Sequence, residues 1–178
     1  MAKVIVFRGK AGVGKSAISA MLGKKLNMPV FAKDDIYDSI AGYVDDHEMW
    51  NKACYDTLYK IIETNISNGI DVIVDAGFHH LSEAVQFKNW VLSKNAIFIP
   101  LLCVCSNEEL WAERFNRRSI NPKPNNMITD FNELKSHYKD LKTEPLENEI
   151  ILDAVSHIDE LMERAIAEIK KGEYRWTE

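Results

Sequence analysis

At 178 residues, 46% hydrophobic and 10% aromatic, the chain has the size of one globular domain and enough apolar side chains for a sizeable core. A formal net charge of -5 and a pI of about 5.6 exclude a general positive field that would gather nucleic acid or an anionic membrane, so any anion must be caught locally. Cysteines are three, an odd set, and Cys103 and Cys105 would share one face of a strand, so Cys54, Cys103 and Cys105 read as reduced core residues rather than a disulfide framework. Met1 to Lys3 lead into an apolar run too short for a signal peptide, and no stretch reaches membrane-spanning length. The expectation is one cytoplasmic domain over 1–178, with no sign of its oligomeric state.

The first predicted strand, VIVF at 4–7, runs into FRGKAGVGKSAIS. Within it, Gly9-Lys10-Ala11-Gly12-Val13-Gly14-Lys15-Ser16 fits the spacing G-x-x-x-x-G-K-S/T and opens a predicted helix, Ser16 to Leu26, with Ile18, Met21, Leu22 and Leu26 inward. In that arrangement the backbone N–H groups from Gly9 to Ala17 wrap phosphate and the helix adds its positive N-terminal end. Lys15 would bridge the β- and γ-phosphates of ATP, and the Ser16 hydroxyl would bind Mg²⁺.

A second strand, PVFA at 29–32, is followed at once by KDDIY. Ligands of a parallel sheet bind beyond the carboxyl ends of its strands, so Asp35 is placed to orient and deprotonate an acceptor hydroxyl, while Asp34 reads as a site residue or a helix N-cap. Trp50, Cys54, Leu58, Ile61 and Ile62 mark one face of a long helix. The third strand, DVIVDA at 71–76, ends on Asp75, a carboxylate suited to Mg²⁺ or to the acceptor. His79 and His80 lie on the same rim but lack a third ligand at metal spacing.

After the fourth strand, AIFIPLLCV at 96–104, Ser106 and Glu109 form a capping box for a helix from Asn107 to about Arg117. Arg114, Arg117 and Arg118 share a face at its end, where like charges repel unless an anion sits among them, and guanidinium forks suit phosphate oxygens. RRSINPKPNNMITD follows, so a lid of approximately 115–130 is expected, closing to exclude water. EIILDA at 149–154 is the fifth strand, and Ile158, Leu161, Met162, Ala165, Ile166 and Ile169 define a last helix with Ser156 as a possible cap. Alternating strands and helices predict an α/β fold: a five-stranded, mostly parallel sheet with helices on both faces.

A phosphate loop specifies a nucleotide, not a reaction. No Asp has Gly three residues on, and Asn51-Lys52 continues as Ala53-Cys54, so the switch and base-reading motifs of GTPases are missing. Motor ATPases usually end their second core strand on Asp-Glu, but here Ala76 follows Asp75. The phosphate loop, the Asp34-Asp35 pair, Val74-Asp75 and the R-x-x-R-R helix end together resemble the small P-loop kinases related to adenylate kinase, in the branch of polynucleotide 5′-kinase, chloramphenicol phosphotransferase and zeta toxin. The resemblance implies a P-loop NTPase fold, ATP and Mg²⁺ as cofactors, Asp35 as acceptor-orienting base, and Arg114 with Arg117 or Arg118 at the nucleotide.

Transfer of the ATP γ-phosphate to a small-molecule hydroxyl is the expected reaction; a polynucleotide 5′-hydroxyl kinase and a non-catalytic ATP switch are the alternatives. Between Asp35 and Gly77 the only cations are Lys52 and Lys60, against nine acids including Asp45, a composition that repels nucleic acid. The acceptor expected is therefore small and neutral or cationic, with Tyr37, Tyr43, Trp50 and Tyr55 as apolar or cation-attracting walls.

Overall fold

The computed structural model describes residues 1–43, 46–141 and 143–172. Its elements run β1 (Lys3–Arg8), α1 (Lys15–Leu26), β2 (Val30–Ala32), α2 (Lys33–Ile40), α3 (His47–Ser67), β3 (Val72–Asp75), α4 (Leu81–Ser93), β4 (Ile97–Val104), α5 (Glu108–Ser119), α6 (Phe131–Asp140), β5 (Ile150–Asp153) and α7 (Ile158–Gly172). The five strands lie in the order β2-β3-β1-β4-β5, and every pairing is parallel, not merely most of them.

Parallel pairing explains why the strands read as unbroken apolar runs. Both faces of the sheet are covered, so successive residues of β1 are buried on opposite sides. Ile5 and Phe7 join Leu22 of α1, Trp111 of α5 and Leu161 of α7, whereas Val4 and Val6 join Leu58 and Ile62 of α3 and Phe87 of α4. β1 and β3 are neighbours whose outgoing connections part, since β1 leads to β2 on one side of the pair and β3 leads to β4 on the other. A crevice opens at such a point, and the phosphate loop leaves β1 into it.

Several local expectations need correction. Neither Asp34 nor Asp35 caps α2; the cap is Ala32, and both acids sit in the first helical turn, where the helix dipole favours them. The capping oxygen of α5 belongs to Asn107, which accepts from the Leu110 N–H at 2.9 Å, while the Ser106 N–H donates to Asp153 across the sheet edge at 3.1 Å. Similarly, α7 starts at Ile158, later than a Ser156 cap would set it. The expected lid also begins too early: α5 stays helical through Ser119, so Arg114, Arg117 and Arg118 ride on a packed helix, and only the stretch from 120 to 130 is irregular.

Candidate active site

Two glycines let the loop exist. Gly9 has φ +132°, and a Cβ there would stand 2.2 Å from the Cys103 carbonyl oxygen, so only glycine lets the chain pass this close to β4. Gly14, at φ +95°, is the N-cap of α1 and offers no side chain to its orphan N–H groups, which leaves the helix end open to an anion. Lys15 reaches back along the loop, its Nζ donating to the Lys10 carbonyl at 3.1 Å.

The outer flank of the loop is clamped by residues that carry no motif. Trp111 of α5 donates its indole N–H to the Ala11 carbonyl at 2.8 Å, and the Tyr138 hydroxyl of α6 accepts from the Ala11 N–H at 2.9 Å. Lys10 lays its ammonium over both rings, 5.3 Å from the Trp111 centroid and 5.6 Å from that of Tyr138. Sequence reasoning missed this clamp because aromatics at helical spacing are most often plain core.

Two cavities open on the loop. The first, about 830 Å³, lies between α1, the start of α2, α5 and α7, and Arg114, Arg117, Arg118 and Asp35 stand on its wall. The second, about 520 Å³, is a cleft lined by α2, α3, α6 and the segment after β3. Lys15, Asp34, Asp75 and Arg118 line both. Asp35 lines only the first, and its neighbour Asp34 occupies the junction. Of the three arginines, Arg118 alone reaches the second cavity; Arg117 is largely exposed and pairs with Glu113 at 2.6 Å.

Burial pushes the Asp75 carboxyl above the usual range, against the pull of Lys15 and of hydrogen bonds from Ser16 and Ser19. Ser19 donates to it at 3.3 Å. Such a desolvated carboxylate beside Ser16 suits a hard cation that phosphate oxygens complete; among the described residues no cluster of three His, Cys, Asp or Glu would hold a metal unaided. His79 is held neutral, its pKa lowered to about 3 by burial and then by the charges of Lys15, His137, His80 and Arg8. It stands 3.5 Å from the Tyr138 hydroxyl, which places the imidazole behind the clamped loop.

The second cavity has an aromatic wall, though not the one expected. Tyr37 and Tyr55 line it, Trp50 stacks behind Tyr37 at 4.6 Å, and Tyr43 is 84% exposed away from it. Lys33 already covers this wall, its Nζ 4.5 Å from the Tyr37 centroid and 5.8 Å from that of Tyr55. A cationic acceptor would meet an ammonium there rather than bare rings. Asp45, counted among the acids of this segment, lies outside the described residues.

Over the junction, the irregular stretch is tied down by side chains. Arg118 donates to Asn126 and Asn125, each at 2.8 Å, and Asn125 donates twice to the Asp38 carboxylate of α2 at 2.9 Å. Below the loop, Arg8 is fully buried and donates to the Phe78 and Glu144 carbonyls at 3.2 and 3.0 Å and to Glu149 at 2.7 Å. Phe78 takes a left-handed φ of 37°, unusual for a bulky residue, where its carbonyl meets Arg8 and its ring stacks on Phe87 at 4.8 Å. Neither network carries a sequence signal.

Comparison with known proteins gives the same architecture. A sugar kinase from Janibacter sp. HTCC2649 superposes with a TM-score of 0.70 at 16% identity, covering 96% of this chain and 95% of its own. A gluconokinase from Sinorhizobium meliloti 1021 gives 0.66 at 15%, covering 95% and 92%, and the shikimate kinase of Aquifex aeolicus 0.65 at 14%, covering 96% and 98%. At such identities the likeness shows the fold alone, an α/β P-loop fold. No curated protein matches by sequence. Residues 4–138, however, match the family described as AAA domain, a span that takes in the phosphate loop, Asp34, Asp75, the arginines and Tyr138. The chain is therefore a member of this AAA domain family, a P-loop nucleotide-binding domain.

Proposed function

We propose that the protein transfers the γ-phosphoryl group of ATP to a hydroxyl of a small molecule. One observation carries the reading: the phosphate-loop cavity and a second cavity meet at Lys15, Asp34, Asp75 and Arg118. A nucleotide held by Gly12, Gly14, Lys15 and Ser16 presents its last phosphate at that junction, and an acceptor in the second cavity approaches it from the opposite side.

Positioning and charge stabilisation then supply most of the catalysis. The acceptor oxygen forms a bond to the γ-phosphorus, the bond from that phosphorus to the β–γ bridging oxygen breaks, ADP leaves, and the hydroxyl proton passes to a carboxylate. We assign that carboxylate to Asp34, which lines both cavities, in place of Asp35, which lines one. Lys15 and Arg118 offset charge on the transferring group. Ser16 and Asp75 are the residues that would hold Mg²⁺, whose contribution is to neutralise phosphate charge. The closed lid keeps water from taking the acceptor's place.

Sugar, gluconate and shikimate kinases among the structural neighbours support a small-molecule acceptor. Of the small P-loop kinases, the branch with polynucleotide 5′-kinase and chloramphenicol phosphotransferase shares the paired aspartates and R-x-x-R-R, and the acidic segment before Asp75 argues for its small-molecule members. The test compares Asp34→Asn, Asp35→Asn and Lys15→Ala in a labelled-ATP transfer assay on small hydroxyl compounds and on 5′-hydroxyl oligonucleotides. Asp34→Asn loses about 10²- to 10⁴-fold in transfer with ATP affinity retained. Lys15→Ala abolishes nucleotide use in a folded protein. A greater loss in Asp35→Asn than in Asp34→Asn reverses the assignment, and efficient labelling of oligonucleotides that falls steeply with salt replaces the acceptor class.

A further inference from the structure

Away from the junction, the second cavity holds a cation without a counter-ion. Lys33, the first residue of α2, is half-buried on its wall, and among the described residues it makes no ion pair and no hydrogen bond; its ammonium rests only against the faces of Tyr37 and Tyr55. An ammonium has three donors, and ring faces satisfy none of them as an oxygen would. Among the described residues the acids nearest this wall are Glu83 and Asp34, whose charges act on Tyr55 although neither forms an ion pair with Lys33. Outside the junction, and among the described residues, Glu83 is the one carboxylate lining the cavity, exposed at the rim and turned to the N–H of His80 at the start of α4. His47, His79, His80, His137 and Asn51 make up much of the remaining polar lining.

Direction matters as much as charge. Lys33 and Asp34 are consecutive on α2, so their side chains diverge by about 100° around the helix axis. Asp34 reaches the junction with the phosphate-loop cavity, whereas Lys33 turns to the Tyr37 end. There the Tyr37 hydroxyl and His47 Nδ1 are already engaged with each other at 2.6 Å, leaving Lys33 as the unspent charge. The cavity thus has a hydroxyl-activating end and a cationic end.

We propose that the acceptor is a small hydroxy acid, its carboxylate held by Lys33 and its hydroxyl presented to Asp34. This rests on the phosphotransfer reading and narrows its acceptor class, because a molecule with an anionic group at one end and an alcohol at the other matches both ends of the cavity. Lys33 acts here as a specificity residue, setting which acceptor is held rather than how fast the phosphoryl group moves.

The experiment uses the full chain and matched pairs of probes: glycerate with glycerol, gluconate with sorbitol, and a cyclic hydroxy acid with its methyl ester. Each is scored by its thermal upshift in the presence of Mg²⁺ and a non-hydrolysable ATP analogue, and by ADP formation with ATP. The acid of at least one pair stabilises the protein and is phosphorylated in preference to its neutral partner. Lys33→Met raises KM for that acid about tenfold or more while leaving KM for ATP unchanged, and Lys33→Arg restores most of the preference. The proposal is overturned if neutral members bind as well as acids, if no acid gives an upshift, or if Lys33→Met leaves the preference intact. Failure of phosphotransfer itself has another signature: an acid stabilises the protein in preference to its neutral partner, yet neither acids nor neutral compounds provoke ADP formation.

Discussion

Arg8 and Arg118 both end an element that feeds the cleft, and both spend their guanidinium groups on protein acceptors, yet their surroundings differ. Arg8 lies below the phosphate loop, wholly buried, bonded to two carbonyls and to an equally buried Glu149. Arg118 lies above it, half-buried, bonded to two asparagines of the lid that lead to Asp38. An ion pair sealed from water cannot lose one partner without stranding the other, whereas hydrogen bonds at a half-exposed site can be exchanged for water at little cost. The layer below the loop, its foundation, is therefore sealed, whereas the stretch above it, its cover, is held by hydrogen bonds that water can replace.

The severest way to break this comparison is Arg8→Met. It strands Glu149 in the core and costs about 3–5 kcal/mol, seen as a Tm lowered by about 6–20 °C. Replacing both partners, Arg8→Met with Glu149→Leu, recovers most of that loss. Burial raises the Glu149 carboxyl above its usual range against the opposing pull of Arg8 and of the Leu146 N–H, so without Arg8 the upward push meets only that one hydrogen bond. A carboxyl raised in the folded state favours folding below its unfolded pKa and loses that contribution as pH rises through the folded value. Denaturation at pH 4 and pH 7 should accordingly show a smaller deficit for Arg8→Met at the lower pH; an equal deficit removes the ion pair from the explanation.

Between the two layers lies His79, which sharpens the contrast with a pH dependence. Its folded pKa of about 3 lies below the ordinary histidine value, so the unfolded chain takes up a proton that the folded one refuses, and stability falls as pH drops from about 6.5 toward 3. Between pH 6 and pH 5 that amounts to about 1 kcal/mol. Urea titrations of wild type and His79→Gln over this window should diverge by that slope, and parallel curves would mean that the imidazole is not buried in solution.

The smallest effect on stability belongs to the cover. Asp38→Ala removes both acceptors of Asn125 and should lower Tm by no more than about 4 °C, since a half-exposed pair of hydrogen bonds is worth about 1 kcal/mol. Its signature is kinetic: ADP formation in the absence of acceptor rises several-fold as water enters the junction. A large Tm loss would show that the lid is part of the foundation.

Much of the foundation was legible because each of its strands is a short apolar run and because the phosphate loop combines glycines, lysine and serine at a spacing that backbone geometry dictates. Asp75 was legible for the same reason, as a carboxylate closing such a run. The Asp34-Asp35 pair was found, but which of the two faces the junction depends on where α2 begins, and that start was set by Ala32 rather than by either acid. Tyr138, Arg8 and Asp38 were missed because each acts with a partner far along the chain, such as Ala11, Glu149 or Asn125, and no local period links them. Lys33 was overlooked for a different reason: a lysine in a helix's first turn reads as a solvated surface residue until the cavity around it is seen.

The strand order has a consequence for how the molecule is made. β1 ends in the centre of the sheet, with Val4 opposite Val72 and Lys3 opposite Ile97, so it is synthesised well before either neighbour exists. At about 5–20 residues per second, the second of those partners follows only about 5–20 seconds later. During that interval Val4 to Phe7 form a naked, strongly β-forming apolar segment with the glycine-rich loop trailing behind it. Substitutions that leave the finished protein untouched but slow the arrival of β3 and β4 on the ribosome would therefore act on yield, through aggregation of a nascent chain whose central strand is waiting for both of its partners.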